Sequence, residues 1–294
     1  MLALVKGWRR FACMMFCVSA LAGLTVVHAT AEQLRVTNVA GETQLYSFDE
    51  LDEIVGLVER EIPDDFLFRR PKHYLGYDLN RLFDVLNLSK EHQYLLVCTD
   101  GYEIEFDARR MKDGKFLGFL ARADLEAVSG AGADASGDAW IPYNEGVNPE
   151  SLSPFYLAWS AEGKEAQKEA RKSLPWPYAL NEIRVHDPEA LHAEARPVGD
   201  SDALVQEGFD HFKTNCMKCH KINSAGGSLG PELTSSPSVV FTSDDELADV
   251  IGNIRRYYPN TKMPTYNGQL SSHDMTAIVR YLRHINEQAD AAKQ

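Results

Sequence analysis

The reading of this chain turns on Cys216-Met217-Lys218-Cys219-His220. Two thiols three positions apart on a helical turn face one way, and the adjoining histidine can bring its imidazole to the same side. C-x-x-C-H is the spacing of covalent haem c attachment: the thiols form thioethers with the two porphyrin vinyl groups and the histidine takes the iron. A redox dithiol or half of a zinc site also uses C-x-x-C. A zinc site would need a second ligand pair, which is missing here. A thioredoxin-like dithiol would need a strand before it and a helix after. The following histidine, the export signal described below and the helical surroundings select haem.

Around the motif the sequence is helical. Gly208, Phe209 and Phe212 lead a short helix into the cysteines. Thr242 and Asp245 form a candidate capping box ahead of Leu247, Val250, Ile251 and Ile254, which share one helical face. Ser271 and Asp274 repeat that start signal before Met275, Ile278, Leu282 and Ile285. Three helices joined by long loops make a poor core unaided, so a bulky apolar group is expected in the middle. The sixth iron position has four downstream candidates, Met263, Met275, His273 and His284. Met275 sits at an apolar helix position suited to core packing, and the two histidines lie in or beside polar helix turns. Met263 precedes Pro264 outside any periodic segment, on a loop able to cross the far porphyrin face. His220/Met263 ligation leaves no open position and suits electron transfer.

The 294 residues suggest about two domains. Hydrophobic residues are 44% and the net charge is −13, which excludes disordered and multi-span membrane classes and argues against a nucleic-acid partner. Lys6, Arg9 and Arg10 precede an apolar run from Phe11 to Val27, followed by Ala29-Thr30-Ala31. This is the pattern of a cleaved secretory signal peptide, residues 1–31, rather than an uncleaved anchor. Cleavage removes Cys13 and Cys17, takes the charge to −16, and leaves a periplasmic protein without a membrane span. Residues 187–202, rich in Pro, Ala, Glu and Asp, read as a linker between domains at 32–186 and 203–294. From Asp202 onward 11 acids face 9 bases, so nearly all the acidity lies in the first domain.

The first domain is mixed. Leu34 to Val39, Tyr94 to Cys98 and Glu103 to Phe106 read as strands. Helices begin at Ser47, with Leu51, Ile54, Val55 and Val58 on one face, and around Leu79, Leu82, Phe83 and Leu86. Val128 to Asp138 is a Gly/Ala/Ser/Asp loop. Three features invite a chemical reading, each with a plainer one beside it. Cys98 reads as a buried inert thiol, Arg69-Arg70 with His73 as a surface basic group, and Trp159, Trp176 and Tyr178 as core closure.

The segment from Leu204 to Ile285 resembles class I cytochrome c, through Gly208-Phe209, C-x-x-C-H, Gly230-Pro231, Met263-Pro264 and Ile278-Val279-Arg280-Tyr281-Leu282 in that order. The resemblance implies one covalent haem c on Cys216 and Cys219 and a hydrogen bond from His220 to the Pro231 carbonyl. It also implies packing of the first helix on the last at Gly208 and Tyr281, and a place for Tyr266 and Leu270 near the haem edge or in the packing. The first domain resembles the sulfite oxidase-type molybdopterin-binding fold. The residues that carry this are Leu34-Arg35-Val36-Thr37, Phe48-Asp49-Glu50-Leu51, Tyr74-Leu75-Gly76-Tyr77-Asp78-Leu79, Asp100-Gly101-Tyr102, Pro154-Phe155-Tyr156 and Trp176-Pro177-Tyr178 through Val185.

The expected architecture is thus an α+β domain of sulfite oxidase-like molybdopterin-binding fold plus an all-α cytochrome c domain. Active members of the former family place the molybdenum cysteine in a stretch equivalent to Ile62–His73, which here has none. Cys98 does not match that position, and no basic pocket for a pterin phosphate is visible. Molybdopterin is therefore not expected. The function expected is a non-enzymatic monohaem cytochrome passing electrons between a dehydrogenase and an acceptor, with an acidic docking domain and a periplasmic redox protein as partner. The alternatives are a molybdenum-dependent sulfite-type dehydrogenase with its own haem, or a ligand sensor that reports through the haem.

Overall fold

Alternating and continuous apolar runs in the first half of the chain become strands. The computed structural model describes residues 33–128, 140, 143–144, 149–199 and 201–291. Residues 1–31, with Cys13 and Cys17, lie outside the described residues, as does nearly all of the 128–138 loop. Strands β1 (Gln33–Thr37) and β2 (Thr43–Ser47) form a hairpin that feeds helix α1 (Phe48–Ile54). Ser47 caps this helix in a capping box with Glu50, as the sequence predicts. Then come β3 (Val58–Ile62), β4 (Lys72–Asp78), α2 (Leu79–Val85), β5 (Gln93–Cys98), β6 (Glu103–Asp107), β7 (Phe116–Asp124) and α3 (Leu125–Val128). A two-residue pair, β8 (Tyr143–Asn144) and β9 (Pro149–Glu150), precedes β10 (Tyr156–Ala161), α4 (Lys164–Ser173) and β11 (Leu180–His186).

Two sheets share one hydrophobic core. The first runs β2-β1-β11-β5-β6, with β1 parallel to β11 and the other neighbours antiparallel. The second runs β10-β7-β4-β3 and is antiparallel throughout. Trp159 and Trp176 close this core. Their indole N–H groups donate to the carbonyls of Pro175 (2.7 Å) and Ala170 (3.3 Å), which removes the cost of burying a polar ring atom. The Arg69, Arg70 and His73 group is structural. Arg70 forms a bidentate pair with Glu126 at 2.7 Å, Arg69 lies over the Phe66 ring, and His73 meets Glu61.

The neighbouring Lys72, which drew no notice in the sequence, is fully buried. Its Nζ lies 2.5 Å from Asp124 and 2.9 Å from Glu126, against the ring of Phe68.

Residues 187–199 of the expected linker have local structure. They form α5 (Pro188–Leu191) and a 3₁₀ turn at Ala193–Ala195. Ala195 is buried in the second hydrophobic core, and its carbonyl accepts a hydrogen bond from Tyr281 at 2.7 Å. Proline at the first helical position and the Asp187 cap give this short segment its local order.

The second core is helical: α6 (Ala203–Asn215), α7 (Pro237–Val240), α8 (Asp244–Gly252) and α9 (Ser272–Ala291). The box before α8 is Ser243 with Glu246, one residue beyond the expected Thr242 and Asp245. The Glu246 carboxylate accepts from the Ser243 N–H, and the Glu246 N–H donates to the Ser243 hydroxyl, which sets the helix start at Ser243. The box at Ser271 and Asp274 forms as read. No helix among the described residues is long and apolar enough to cross a membrane.

Lys72 and its partners generate two stability predictions. Lys72→Met strands Asp124 as a buried uncompensated charge and costs about 3–5 kcal/mol in urea unfolding; adding Asp124→Leu restores most of the loss. Glu126 is held down at about 2, chiefly by the Arg70 hydrogen bonds. Its folded value lies below its ordinary one, so its contribution is complete above about pH 4.5 and disappears as the pH falls towards about 2. The gap in urea midpoint between wild type and Glu126→Gln closes over that window.

Candidate functional site

The site begins where α6 ends. Gly208 lies against α9 so closely that a Cβ there would overlap the Ala277 carbonyl and stand 2.8 Å from the Tyr281 Cβ. Phe209 and Phe212 pack on the Tyr281 ring at centroid distances of 5.7 and 5.3 Å. This crossing fixes the last turn of α6, which runs on into the motif. The Cys216 N–H donates to Phe212 at 2.8 Å, and the N–H groups of Cys219 and His220 both donate to the Cys216 carbonyl, at 3.0 and 2.9 Å. Met217 turns into the core while Cys216, Cys219 and His220 remain half-buried. Local helical geometry therefore brings both thiols and the imidazole together.

The imidazole is oriented from both sides. Its Nδ1 lies 2.8 Å from the Pro231 carbonyl. A carbonyl only accepts, so Nδ1 carries the proton and Nε2 presents its lone pair. Gly230 makes room for the ring, since a Cβ there would stand 2.7 Å from Nδ1 and 2.8 Å from Nε2. Burial lowers the His220 pKa and the Pro231 hydrogen bond partly opposes this; the result is the neutral ring that metal ligation needs. Burial pushes the Cys216 thiol up to about 12 and Cys219 to about 11. An activated redox dithiol requires a lowered thiol pKa, so this pair has the wrong electrostatics for that chemistry.

Of the four candidates for the far side, Met263 is half-buried against the helical core, its N–H donating to Thr261 Oγ1 at 3.2 Å. Met275 packs between α9 and the end of α8, with its sulfur 3.4 Å from where a Gly252 Cβ would sit. His273 is exposed and engages Glu207 at 3.1 Å, while His284 Nε2 lies 2.7 Å from the Gln288 amide. Tyr266 is buried, with its hydroxyl donating to the Asn215 carbonyl at 2.8 Å; Leu270 is half-buried against the same core. The half-buried apolar side chains of Leu233, Met263, Leu270 and Met275, together with a neutral histidine and two protonated thiols, fit a haem c.

Sequence reasoning missed how closely the first core meets this motif. The Glu103 N–H, at the start of edge strand β6, donates to the Lys218 carbonyl inside C-x-x-C at 2.9 Å. The Ser228 N–H donates to the Gly101 carbonyl at 2.7 Å, and Lys262 stands 3.8 Å from Asp100. Asp100-Gly101-Tyr102 carries part of the fold resemblance in the sequence, but nothing in it names Lys218 as a partner. Beside these contacts lies a cavity of about 580 Å³, lined by Cys219 and Tyr266 from one core and Tyr102, Trp176 and Tyr178 from the other. Arg171 and Lys172 from the first domain and Lys218, Arg255 and Lys262 from the helical one also line it. Cys98 is buried in β5, and burial raises its thiol pKa, so its inert reading fits its surroundings.

Residues 203–282 match the family model described as cytochrome c oxidase, cbb3-type, subunit III. A cytochrome c of Gibberella zeae is 26% identical over 98 residues, covering 27% of this chain and 92% of that protein. A nicotinate dehydrogenase subunit from Pseudomonas putida is 31% identical over 109 residues, covering 33% of this chain and 9% of that protein. The helical stretch that holds Cys216, Cys219 and His220 is a cytochrome c-type domain, joined to a mixed α/β region that precedes it.

Proposed function

We propose that the chain is a periplasmic monohaem c-type cytochrome that carries single electrons between a dehydrogenase and an acceptor. The observation that carries this reading is the oriented His220 beside two thiols on one helical turn. When bound, the haem supplies a one-electron ferric/ferrous couple. Cys216 and Cys219 would hold it covalently, and His220 would offer Nε2 while its Nδ1–H donates to the Pro231 carbonyl. Met263 would be the second protein ligand to the iron, so the group would serve as an electron carrier closed to small oxidants. The likeness to a short stretch of a dehydrogenase component supports a redox partner of that class.

In this reading residues 1–31 are an export signal and the first domain is a docking module of molybdopterin-binding type that lacks the metal. Ile62–His73 contains no cysteine, and Cys98 is buried in a strand, which supports loss of the metal site. The backbone contacts of Gly101 and Glu103 with the C-x-x-C-H loop support a docking role, because they hold this domain directly against the haem-bearing segment.

Purified from periplasm, the protein carries one covalent haem per chain by pyridine haemochrome assay and no stoichiometric molybdenum by metal analysis. Stoichiometric molybdenum would transfer the assignment to a sulfite-type dehydrogenase. Cys219→Ala lowers covalent haem at least severalfold, and normal retention would count against thioether attachment there. Met263→Ala abolishes the sulfur-to-iron charge-transfer band of the ferric protein; persistence of that band would assign the sixth ligand to another methionine.

A further inference from the structure

The crossing of α6 and α9 gathers two histidines and two carboxylates that take no part in holding haem. Glu207 and His211 lie four positions apart on α6, so their side chains share one face over consecutive turns. His273 and Asp274 stand in the first turn of α9, just before Ala277, which Gly208 meets. One ligand atom from each of Glu207, His211 and Asp274 lies within 4.8 Å of the other two.

His211 Nε2 is the centre of this group, 3.8 Å from Glu207 Oε1 and 3.4 Å from Asp274 Oδ1. Both separations exceed the usual N–H···O length of about 2.7–3.2 Å. They compare with about 3.3 Å between neighbouring donors around a tetrahedral zinc ion with bonds of about 2.0–2.1 Å. Each carboxylate is also held by its other oxygen. Asp274 Oδ2 accepts from the Ser271 N–H at 2.8 Å, in the cap of α9. Glu207 Oε2 lies 3.1 Å from His273 Nε2, which carries the proton because a carboxylate only accepts. Outer hydrogen bonds thus leave Oε1 and Oδ1 facing His211, as they do for the ligands of a metal. Among the described residues no lysine or arginine pairs with either carboxylate; their partners are the two histidines. A divalent ion between the carboxylates would offset their mutual repulsion.

We propose that Glu207, His211 and Asp274 bind a divalent transition-metal ion of the zinc type, with His273 orienting Glu207 from behind. A nitrogen among the donors favours such an ion over magnesium or calcium, which take oxygen ligands. Bound there, the ion ties α6 to α9 beside Gly208 and stabilises the crossing that directs the C-x-x-C-H turn. None of these residues is a haem ligand in the cytochrome reading, so the site stands or falls apart from it.

The test titrates Zn²⁺ into the full-length haem-bearing protein by isothermal calorimetry, with Mg²⁺ for comparison. The expected result is saturable binding of one Zn²⁺ per chain, with Mg²⁺ at least about a hundredfold weaker. His211→Gln and Glu207→Gln each lower zinc affinity at least about tenfold, and His273→Gln lowers it by less. Glu207 is half-buried and lies outside both hydrophobic cores, so its replacement spares the fold. Saturating zinc raises the urea midpoint of wild type and leaves that of His211→Gln unchanged. Absence of saturable zinc binding overturns the site and leaves an ion-pair cluster only. Equal affinity for the two ions, or zinc binding that both ligand variants retain, overturns it as well, the latter by placing the zinc elsewhere. Haem content on the same samples keeps the two readings apart. Full haem without zinc binding sinks this site alone, whereas zinc binding by a chain without covalent haem sinks the cytochrome function.

Discussion

The close crossing of α6 and α9 is the constraint on which the haem-binding half depends. At Gly208 the two backbones meet, and the contact leaves no volume for a side chain. Phe209, Phe212 and Tyr281 then interlock around that point, so the direction of the last turn of α6 is set by aromatic packing. Because Cys216 continues this turn through its bond to Phe212, the thiols inherit a fixed orientation from residues one and two turns upstream. Pro231 and Gly230 complete the arrangement from a separate loop, one by accepting the hydrogen bond from Nδ1–H and the other by giving the ring its space. A precise imidazole thus depends on a helix crossing remote in sequence, the kind of rigid support that a ligating side chain needs.

The same motif also faces the other way. An exposed edge strand is a liability in a soluble protein. Here the first residue of β6 uses its N–H on the Lys218 carbonyl, so part of the sheet edge is satisfied by the C-x-x-C-H loop. The strap at 187–199 adds a second tie, through Ala195 in the helical core and His192, whose Nε2 lies 2.9 Å from Glu105. Two cores that could have been joined by a flexible tether are instead joined by backbone hydrogen bonds at the motif and by a packed connection. Movement of the first domain over the haem-bearing loop would break several of these contacts together.

How much of this was legible in the sequence divides by range. C-x-x-C-H, the helix starts at Ser47 and Ser271, and strands β1, β5 and β6 are local signals, set by spacing along one or two turns or along a pleat. They were readable for that reason. The slip from Ser243 to Thr242 is a one-residue register error between two overlapping start signals, Thr242 with Asp245 and Ser243 with Glu246, which spacing alone does not separate. Lys72 was silent because a lysine among arginines and a histidine looks like surface. Its burial follows from Asp124, 52 positions later, and only the pairing of β4 with β7 brings the two together. The contact of Glu103 with Lys218 is longer-ranged still and uses backbone atoms, which no side-chain pattern encodes.

Charge shows the same limit in another form. A net of −13 is correct for the molecule and misleading for its cavity, because electrostatic influence in physiological salt extends only about 8 Å. The charged side chains that line the cavity are Arg171, Lys172, Lys218, Arg255 and Lys262 against Asp100. They come from four separate segments, so no window of sequence displays them as a basic cluster. The acidic bulk acts at longer range and lower salt, on encounter rather than on binding. An acidic total and a cationic cavity lining can therefore coexist in one chain, because the two are felt over different distances.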